Sequence, residues 1–249
     1  MLSKANIKDI QSLQHKKFRD QEGLFVAEGP RLVKELLEGQ IFVCRALYAL
    51  PAWLNTEASL LGKLPQLTPE ALKDFELEKI SGLSKPNQVL GVFEKRAGIT
   101  EPDLQNKLTL LLDDIQDPGN LGTIIRIADW FGIENVICSK HTADMYNSKV
   151  VQSTMASLQR VNLIYTDIPT WLAKNNSLRI YAATLHGEPM TAVSGLKEGI
   201  IVIGNEAAGV SETVLKMAHK QITIPRFGEA ESLNAAVAAG LILYEARRS

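Results

Sequence analysis

Cysteine is nearly absent from this chain. Cys44 and Cys138 are the only two, they stand far apart, and neither belongs to a C-x-x-C pair. That excludes a disulfide framework and a zinc ribbon. The four histidines, His15, His141, His186 and His219, are scattered singly with no ligand spacing, so no metal is expected. Strong charge of one sign is missing too: 27 basic residues face 28 acidic ones, a net charge of −1. A nucleic-acid partner would therefore have to meet a local basic patch. No apolar run approaches the roughly 20 residues of a membrane span. The start, Met1-Leu2-Ser3-Lys4, lacks the apolar core of a secretory signal. A soluble cytoplasmic protein without a membrane partner is the expectation. The phosphate-cradling fingerprints G-x-G-x-x-G and G-x-x-x-x-G-K-[ST] are also lacking, so a ligand here is not expected to be held by its phosphates.

What is present is an alternation of short apolar runs and amphipathic stretches. In the first part, Ile7, Ile10 and Leu13 mark a helix, and His15-Lys16-Lys17-Phe18-Arg19 gathers positive charge around one ring. This cluster reads as a phosphate-contacting patch, with Lys16, Lys17, Arg19 and the later Arg31 as its cations, or as a solvated helix end. Strands are expected at Leu24–Glu28, Ile41–Leu50, Gln66-Leu67 and Val89–Phe93, with helices at Arg31–Glu38 and Pro69–Glu76. Residues 1–95 thus form a small α/β domain. Residues 96–107, polar and broken by glycine and proline, form a linker.

Residues 108–249 carry the denser signal. Leu108-Thr109-Leu110-Leu111-Leu112 is the continuous apolar run of a strand covered on both faces. Asp117-Pro118-Gly119-Asn120-Leu121-Gly122 makes a turn, and a helix follows over about Thr123–Phe131 with Arg126 near its start. By itself Arg126 would pair with Asp129. Further βα units follow, including a helix at Lys149–Gln159. The stretches Ile201–Gly204 and Gln221–Ile224 are strands that empty into the loops Asn205–Gly209 and Arg226–Ser232. The result is a mostly parallel sheet flanked by helices. Its carboxyl rim is where such sheets bind ligands.

Three segments, Asp117–Gly122 with Arg126, Gly204-Asn205-Glu206 with Gly209, and Ile224-Pro225 with Ser232-Leu233-Asn234, resemble in order and spacing the signature motifs of the SpoU (TrmH) family. Members of that family are S-adenosylmethionine-dependent RNA ribose 2′-O-methyltransferases. Phe25–Gly29 is similar to the substrate-binding domain that many members carry. The resemblance implies a trefoil knot in the C-terminal domain and a homodimer through the last helix, which is apolar nearly all round. It implies a donor pocket at Gly204, Ile224 and Leu233, walled by Leu185 and Ile203. Catalytic and positioning roles fall on Arg126, Asn120, Glu206, Ser232 and Asn234. Taken singly, Ser232 or Asn234 could cap the last helix and Asn120 could make a turn. The implied substrate is ribosomal RNA, of the 23S kind, ahead of transfer RNA. A non-catalytic RNA-binding relative, or an enzyme acting on another nucleoside ligand, is the alternative. Ala156 stands where many members have glycine.

Overall fold

The computed structural model describes residues 2–97 and 101–248, so Gly98, Ile99 and Thr100 of the expected linker lie outside the described residues. Contacts divide the chain into two units, Met1–Ala97 with Tyr146–Gln159, and Gly98–Met145 with Arg160–Ser249.

The first unit opens with α1 (Lys4–Ser12), capped by the Ser3 side chain, and α2 (Lys16–Glu22), which ends on Gly23 in the left-handed region. β1 (Leu24–Glu28) follows, then α3 (Pro30–Gly39), whose Leu32, Val33, Leu36 and Leu37 are buried at helical spacing. β2 (Cys44–Ala49), α4 (Pro51–Thr56), α5 (Ala58–Leu61), β3 (Glu70–Ala71), α6 (Asp74–Ile80) and β4 (Val89–Glu94) complete it. The sheet order is β1-β4-β2-β3, with β4 antiparallel to both neighbours. The strand expected at Gln66-Leu67 is a turn and the pairing falls on Glu70-Ala71 instead, because Pro65 and Pro69 bracket the segment. The helix expected at Pro69 starts only at Asp74, so α6 lies later than its apolar pattern suggested.

The second unit is built on β5 (Leu108–Asp113), buried along its whole length. α7 (Pro118–Trp130) follows, and it begins five residues earlier than Thr123. Asp117 accepts a hydrogen bond from the Asn120 backbone at 2.8 Å, and Pro118 fills the first helical position, where its missing N–H costs nothing. The Asp-Pro-Gly-Asn sequence is therefore a helix start and not a free turn. Arg126 consequently sits more than two turns into α7 and not near its start.

After β6 (Asn135–Ser139) the chain enters α8 (Ser148–Thr154), which packs in the first unit beside β1. Tyr146 joins Phe25, Phe42 and Phe93 there, with Phe25 and Tyr146 ring centroids 4.9 Å apart. The helix expected to run to Gln159 stops early because Met155 and Ala156 take positive φ, 48° and 67°. A side chain at such an angle is strained by about 1 kcal/mol.

β7 (Asn162–Thr166), α9 (Ile168–Lys174), β8 (Ile180–Pro189), β9 (Gly199–Gly204), α10 (Glu212–Met217), β10 (Lys220–Thr223) and α11 (Ala235–Arg247) finish the unit. The six strands run β10-β8-β9-β5-β6-β7, every pair parallel. Leu111, Ile137, Ile164, Ala182 and Val202 face Trp171, Leu172 and Val214 of α9 and α10. The alternate residues, such as Leu110 and Ile201, point to the other face. That face is covered by α11, which packs on β9 and α7. Chain order reverses at β5, which lies between β9 and β6, so a topological switch point sits at its carboxyl end.

Candidate active site

Three loops meet at that switch point. After β9 the chain turns back on itself, with Asn205 and Gly209 exchanging backbone hydrogen bonds of 3.0 and 2.9 Å. The Asn205 side chain accepts from the backbone of Ala207 and Ala208 at 2.9 and 3.0 Å and donates to the Asp114 carbonyl at 2.8 Å. One amide therefore shapes the loop after β9 and ties it to the loop after β5. Ser211 donates its backbone N–H to Asp113 at 2.8 Å, a second tie between the same two segments.

Gly204 is required by this turn. A Cβ placed there would lie 2.2 Å from both the Gly209 carbonyl carbon and the Val210 nitrogen, which are backbone atoms that cannot swing aside. The resemblance put a donor pocket at Gly204. The structure assigns the room beside it to the chain's own return path.

Asn120, in the first turn of α7, donates from Nδ2 to Glu206 Oε1 at 2.7 Å, and its Oδ1 accepts from Asn234 Nδ2 at 2.8 Å. Asn234 also caps α11, its Oδ1 accepting from the backbone of Ala236 and Val237 at 2.9 and 3.3 Å. The capping and the loop-bridging readings of Asn234 thus hold together. The Asn234 cap fixes the start of α11 beside that of α7. At the other end Arg247 donates to the carbonyls of Phe131 and Gly132 at 3.0 and 3.2 Å. The two helices therefore run side by side in the same direction, with Gly240 backed on Ile127.

Strand β8 and the segments after β9 and β10 enclose a cavity of about 670 Å³, within the size range of small-molecule sites. Leu185, Ile203, Gly204, Ile224, Leu233, Glu206 and Ser232 all line it. Five of these had been expected around a donor, and the structure brings all five to one hollow. Leu185 and Leu233 are 65% and 48% exposed. Glu206, Glu231 and Arg226 are its charged residues. Arg226 and Phe227 had no assigned role in the sequence, since a cation and a ring inside a glycine-bearing loop carry no periodic signal.

Arg126 lies outside this cavity. Six residues beyond Asn120, it is about 9 Å further along α7 and on another face. Its side chain is exposed and has no hydrogen bond or ion pair among the described residues. Asp129, its simplest expected partner, is held by Arg160 at 2.7 Å. On the neighbouring α11, Val237, Leu241 and Tyr244 form an uncovered stripe, 50%, 38% and 59% exposed, while Ala239, Ile242, Leu243 and Ala246 of the opposite side are buried. The last helix is therefore half covered by its own sheet and half open.

In the first unit the four expected RNA-contacting cations separate. Arg19 is 2% exposed and donates from Nη1 to the carbonyls of Leu13 and Gln14 at 2.9 and 2.8 Å. It closes the end of α1 and is withdrawn from the RNA-contacting set. Burial of a guanidinium demands such partners, and nothing in a run of basic residues says which one turns inward. Lys16 is exposed and bonded to Asp20 at 2.7 Å, and Arg31 is exposed beside Glu35 at 3.0 Å. Lys17 lies over the Phe18 ring at 6.0 Å. Hydrogen bonds from Lys16 and then Lys95 hold the Asp20 carboxyl down to about 2.

No group of three or more metal-ligating side chains occurs among the described residues, and no helix there is long and apolar enough to cross a membrane. Comparison with known proteins then decides the family. The family described as SpoU rRNA Methylase matches residues 107–244, more than half of the chain. This chain belongs to the SpoU rRNA methylase family. An MRM3-like substrate binding domain matches residues 4–91, ahead of the SpoU domain.

A relative from Bacillus subtilis, the 23S rRNA (guanosine(2553)-2′-O)-methyltransferase RlmP, is 30% identical over 97% of this chain and 95% of its own length. Among solved structures, the SpoU methyltransferase AviRb of Streptomyces viridochromogenes in complex with AdoMet superposes with a TM-score of 0.85 at 26% identity, covering 98% of this chain and 97% of that one. An AdoMet-bound rRNA methyltransferase from Sinorhizobium meliloti gives 0.84 at 29% identity, covering 99% and 96%. The SpoU domain thus has relatives solved with AdoMet, and its second and third motif segments line the cavity, with the first tied to them through Asn120.

Proposed function

We propose that the cavity binds S-adenosylmethionine and that the protein transfers its methyl group to a ribose 2′-hydroxyl of ribosomal RNA, of the 23S kind. The residues present suit this donor. Leu185, Ile203, Ile224 and Leu233 offer apolar walls, the turn at Gly204–Gly209 offers backbone groups, and Glu206 and Glu231 offer negative charge toward a cationic ligand. When bound, the donor supplies a methyl on a sulfonium, already an excellent leaving group. What remains for the chain is to hold ribose oxygen, methyl and sulfur in line.

The bonds from Asn234 to Asn120 and from Asn120 to Glu206 fix the three loops relative to one another, so the walls keep their spacing. Ser232 at the rim is placed to meet the ribose. Arg126 remains protonated, since a guanidinium has a pKa above about 12, and its role is to grip a substrate phosphate bidentately while the hydroxyl is lined up. Because it lies outside its own cavity, it serves a second copy: the uncovered stripe of Val237, Leu241 and Tyr244 is the contact of a homodimer, and each α7 brings its arginine to the partner's site. Residues 1–95 hold RNA through Lys16, Lys17 and Arg31, residues 96–107 link, and residues 108–249, with a trefoil knot, carry the chemistry. No metal takes part, and the work is done in the cytoplasm on ribosomal RNA.

The meeting of Leu185, Ile203, Gly204, Glu206, Ile224 and Leu233 around one hollow, with Asn120 and Asn234 tying its loops together, carries this reading. The test is transfer of labelled methyl from S-adenosylmethionine to unmodified ribosomal RNA transcripts, with ribose methylation mapped by resistance to alkaline cleavage. The intact protein is expected to label one ribose, and Arg126→Ala to lose at least about 100-fold in turnover with donor affinity retained. Label on a base, or full activity of the variant, overturns the scheme.

A further inference from the structure

Phe227 stands apart from the other aromatic residues of the chain. Phe25, Phe42 and Phe93 are buried, and Phe18 and Phe75 are partly covered, each with a lysine ammonium over its ring at 6.0 and 5.2 Å. Phe227 is 99% exposed and makes no ring or cation contact among the described residues. It also lines the cavity, whose other apolar walls are aliphatic. A phenylalanine with its whole ring in water at the mouth of a ligand site contributes nothing to folding. Chance exposure of single apolar residues is ordinary over a whole surface. It is less ordinary that the most exposed one falls on the rim of this cavity.

Its neighbour adds a second element. Arg226 donates from Nη1 to the Ala230 carbonyl at 3.4 Å, bracing the loop that carries the ring. A guanidinium has five N–H donors, so the others remain free for an anion. A cation and an adjacent bare ring are what an unpaired nucleotide requires, one for its phosphate and one for its base. Donor binding calls on Leu185, Ile203, Ile224 and Leu233, which leaves the ring of Phe227 for the second substrate.

We propose that Phe227 is the stacking platform for the base of the nucleotide whose ribose is methylated, with Arg226 holding the adjoining phosphate. This rests on the assignment of the cavity to the methyl donor. Stacking on a π-face accepts any of the four bases, so the platform positions the target nucleotide, and its identity is read elsewhere.

The experiment measures kcat/KM for unmodified ribosomal RNA transcripts with the intact protein and with Phe227→Ala, Phe227→Leu and Phe227→Tyr. Affinity for S-adenosylmethionine and sedimentation are followed for each. Phe227→Ala is expected to lower kcat/KM roughly 5- to 150-fold, the range for loss of one base–aromatic stack. Phe227→Tyr is expected to restore it within about twofold, and Phe227→Leu is not. Donor affinity and sedimentation stay unchanged in all three. Unchanged kcat/KM in Phe227→Ala overturns the inference, as does full rescue by leucine. An equal loss of donor affinity would make the ring a lid on the donor, and a change in sedimentation would make it a subunit contact; either also overturns it. If the intact protein itself labels no RNA, the assignment of function fails and not the stacking role alone.

Discussion

Asn120 and Glu206 are 86 residues apart in sequence and meet across a 2.7 Å hydrogen bond, with Asn234 donating to the same Asn120 side chain. Each partner uses the only polarity open to it, since a carboxylate accepts and the amide must present its nitrogen to Glu206 and its oxygen to Asn234. Asn120→Asp removes the donor and sets a second carboxylate against Glu206. Methyl transfer is expected to fall about 10- to 100-fold while thermal stability drops by no more than about 2 kcal/mol. Glu206→Gln keeps an accepting oxygen and is expected to stay within about fivefold of the parent. Steady-state kinetics and thermal unfolding of the two variants provide the check.

Gly204 offers a sharper contrast. Alanine there would meet two backbone atoms at 2.2 Å, whereas a Cβ at Gly228, in the cavity's outer loop, meets nothing within 4 Å. Gly204→Ala is expected to cost more than about 3 kcal/mol or to prevent folding, and Gly228→Ala to change stability by less than about 0.5 kcal/mol. Urea unfolding midpoints at constant m measure both.

These two sites also show what the sequence could and could not disclose. The strands from Leu108 onward were legible because a parallel sheet covered on both faces leaves unbroken apolar runs such as Leu110-Leu111-Leu112. The residues expected around a donor were reached through motif resemblance, and they line one hollow. The reason for Gly204 was missed, because periodicity says nothing about which backbone segments cross. The shift of α7 to Pro118 was missed for a related reason: Asp-Pro-Gly-Asn suits a turn and a helix start equally, and tertiary packing chose. The place of residues 146–159 depends on the Phe25–Tyr146 contact, which no local pattern announces. Arg19 looked like its neighbours Lys16 and Lys17, and its burial against the carbonyls of Leu13 and Gln14 distinguishes it.

That distinction can be measured. Arg19→Ala takes the donor away from the Leu13 and Gln14 carbonyls and is expected to destabilise the protein by about 1–3 kcal/mol. Lys17→Ala and Arg31→Ala are expected to leave stability within about 0.5 kcal/mol. Each is expected to reduce the slope of log affinity for RNA against log salt by about 0.7–0.9. Unfolding curves and filter binding across a salt series separate the two behaviours. An Arg19 variant of native stability with a reduced salt slope would return that residue to the RNA surface.

The proposed dimerisation across α11 has a built-in reporter. Trp130 on α7 is 84% exposed, while Trp53 and Trp171 are 2% and 8% exposed, so environment-sensitive emission comes chiefly from Trp130. Dilution of the intact protein is expected to shift emission to the red as the dimer parts. Tyr244→Asp, which sets a charge in the middle of the stripe, is expected to be monomeric at the same concentration and to lose most methyl transfer. Sedimentation velocity provides the independent reading.

The assignment of the cavity to the methyl donor is tested most directly by calorimetric titration of S-adenosylmethionine into the intact protein, Leu185→Asp and Leu233→Asp. Both leucines are more than two-fifths exposed, so neither variant should disturb the fold, and unfolding curves verify it. One site per chain is expected for the intact protein, with affinity at least about tenfold weaker in each variant, since a carboxylate replaces apolar wall against the ligand. Equal affinity in all three proteins would place the donor elsewhere and contradict the assignment.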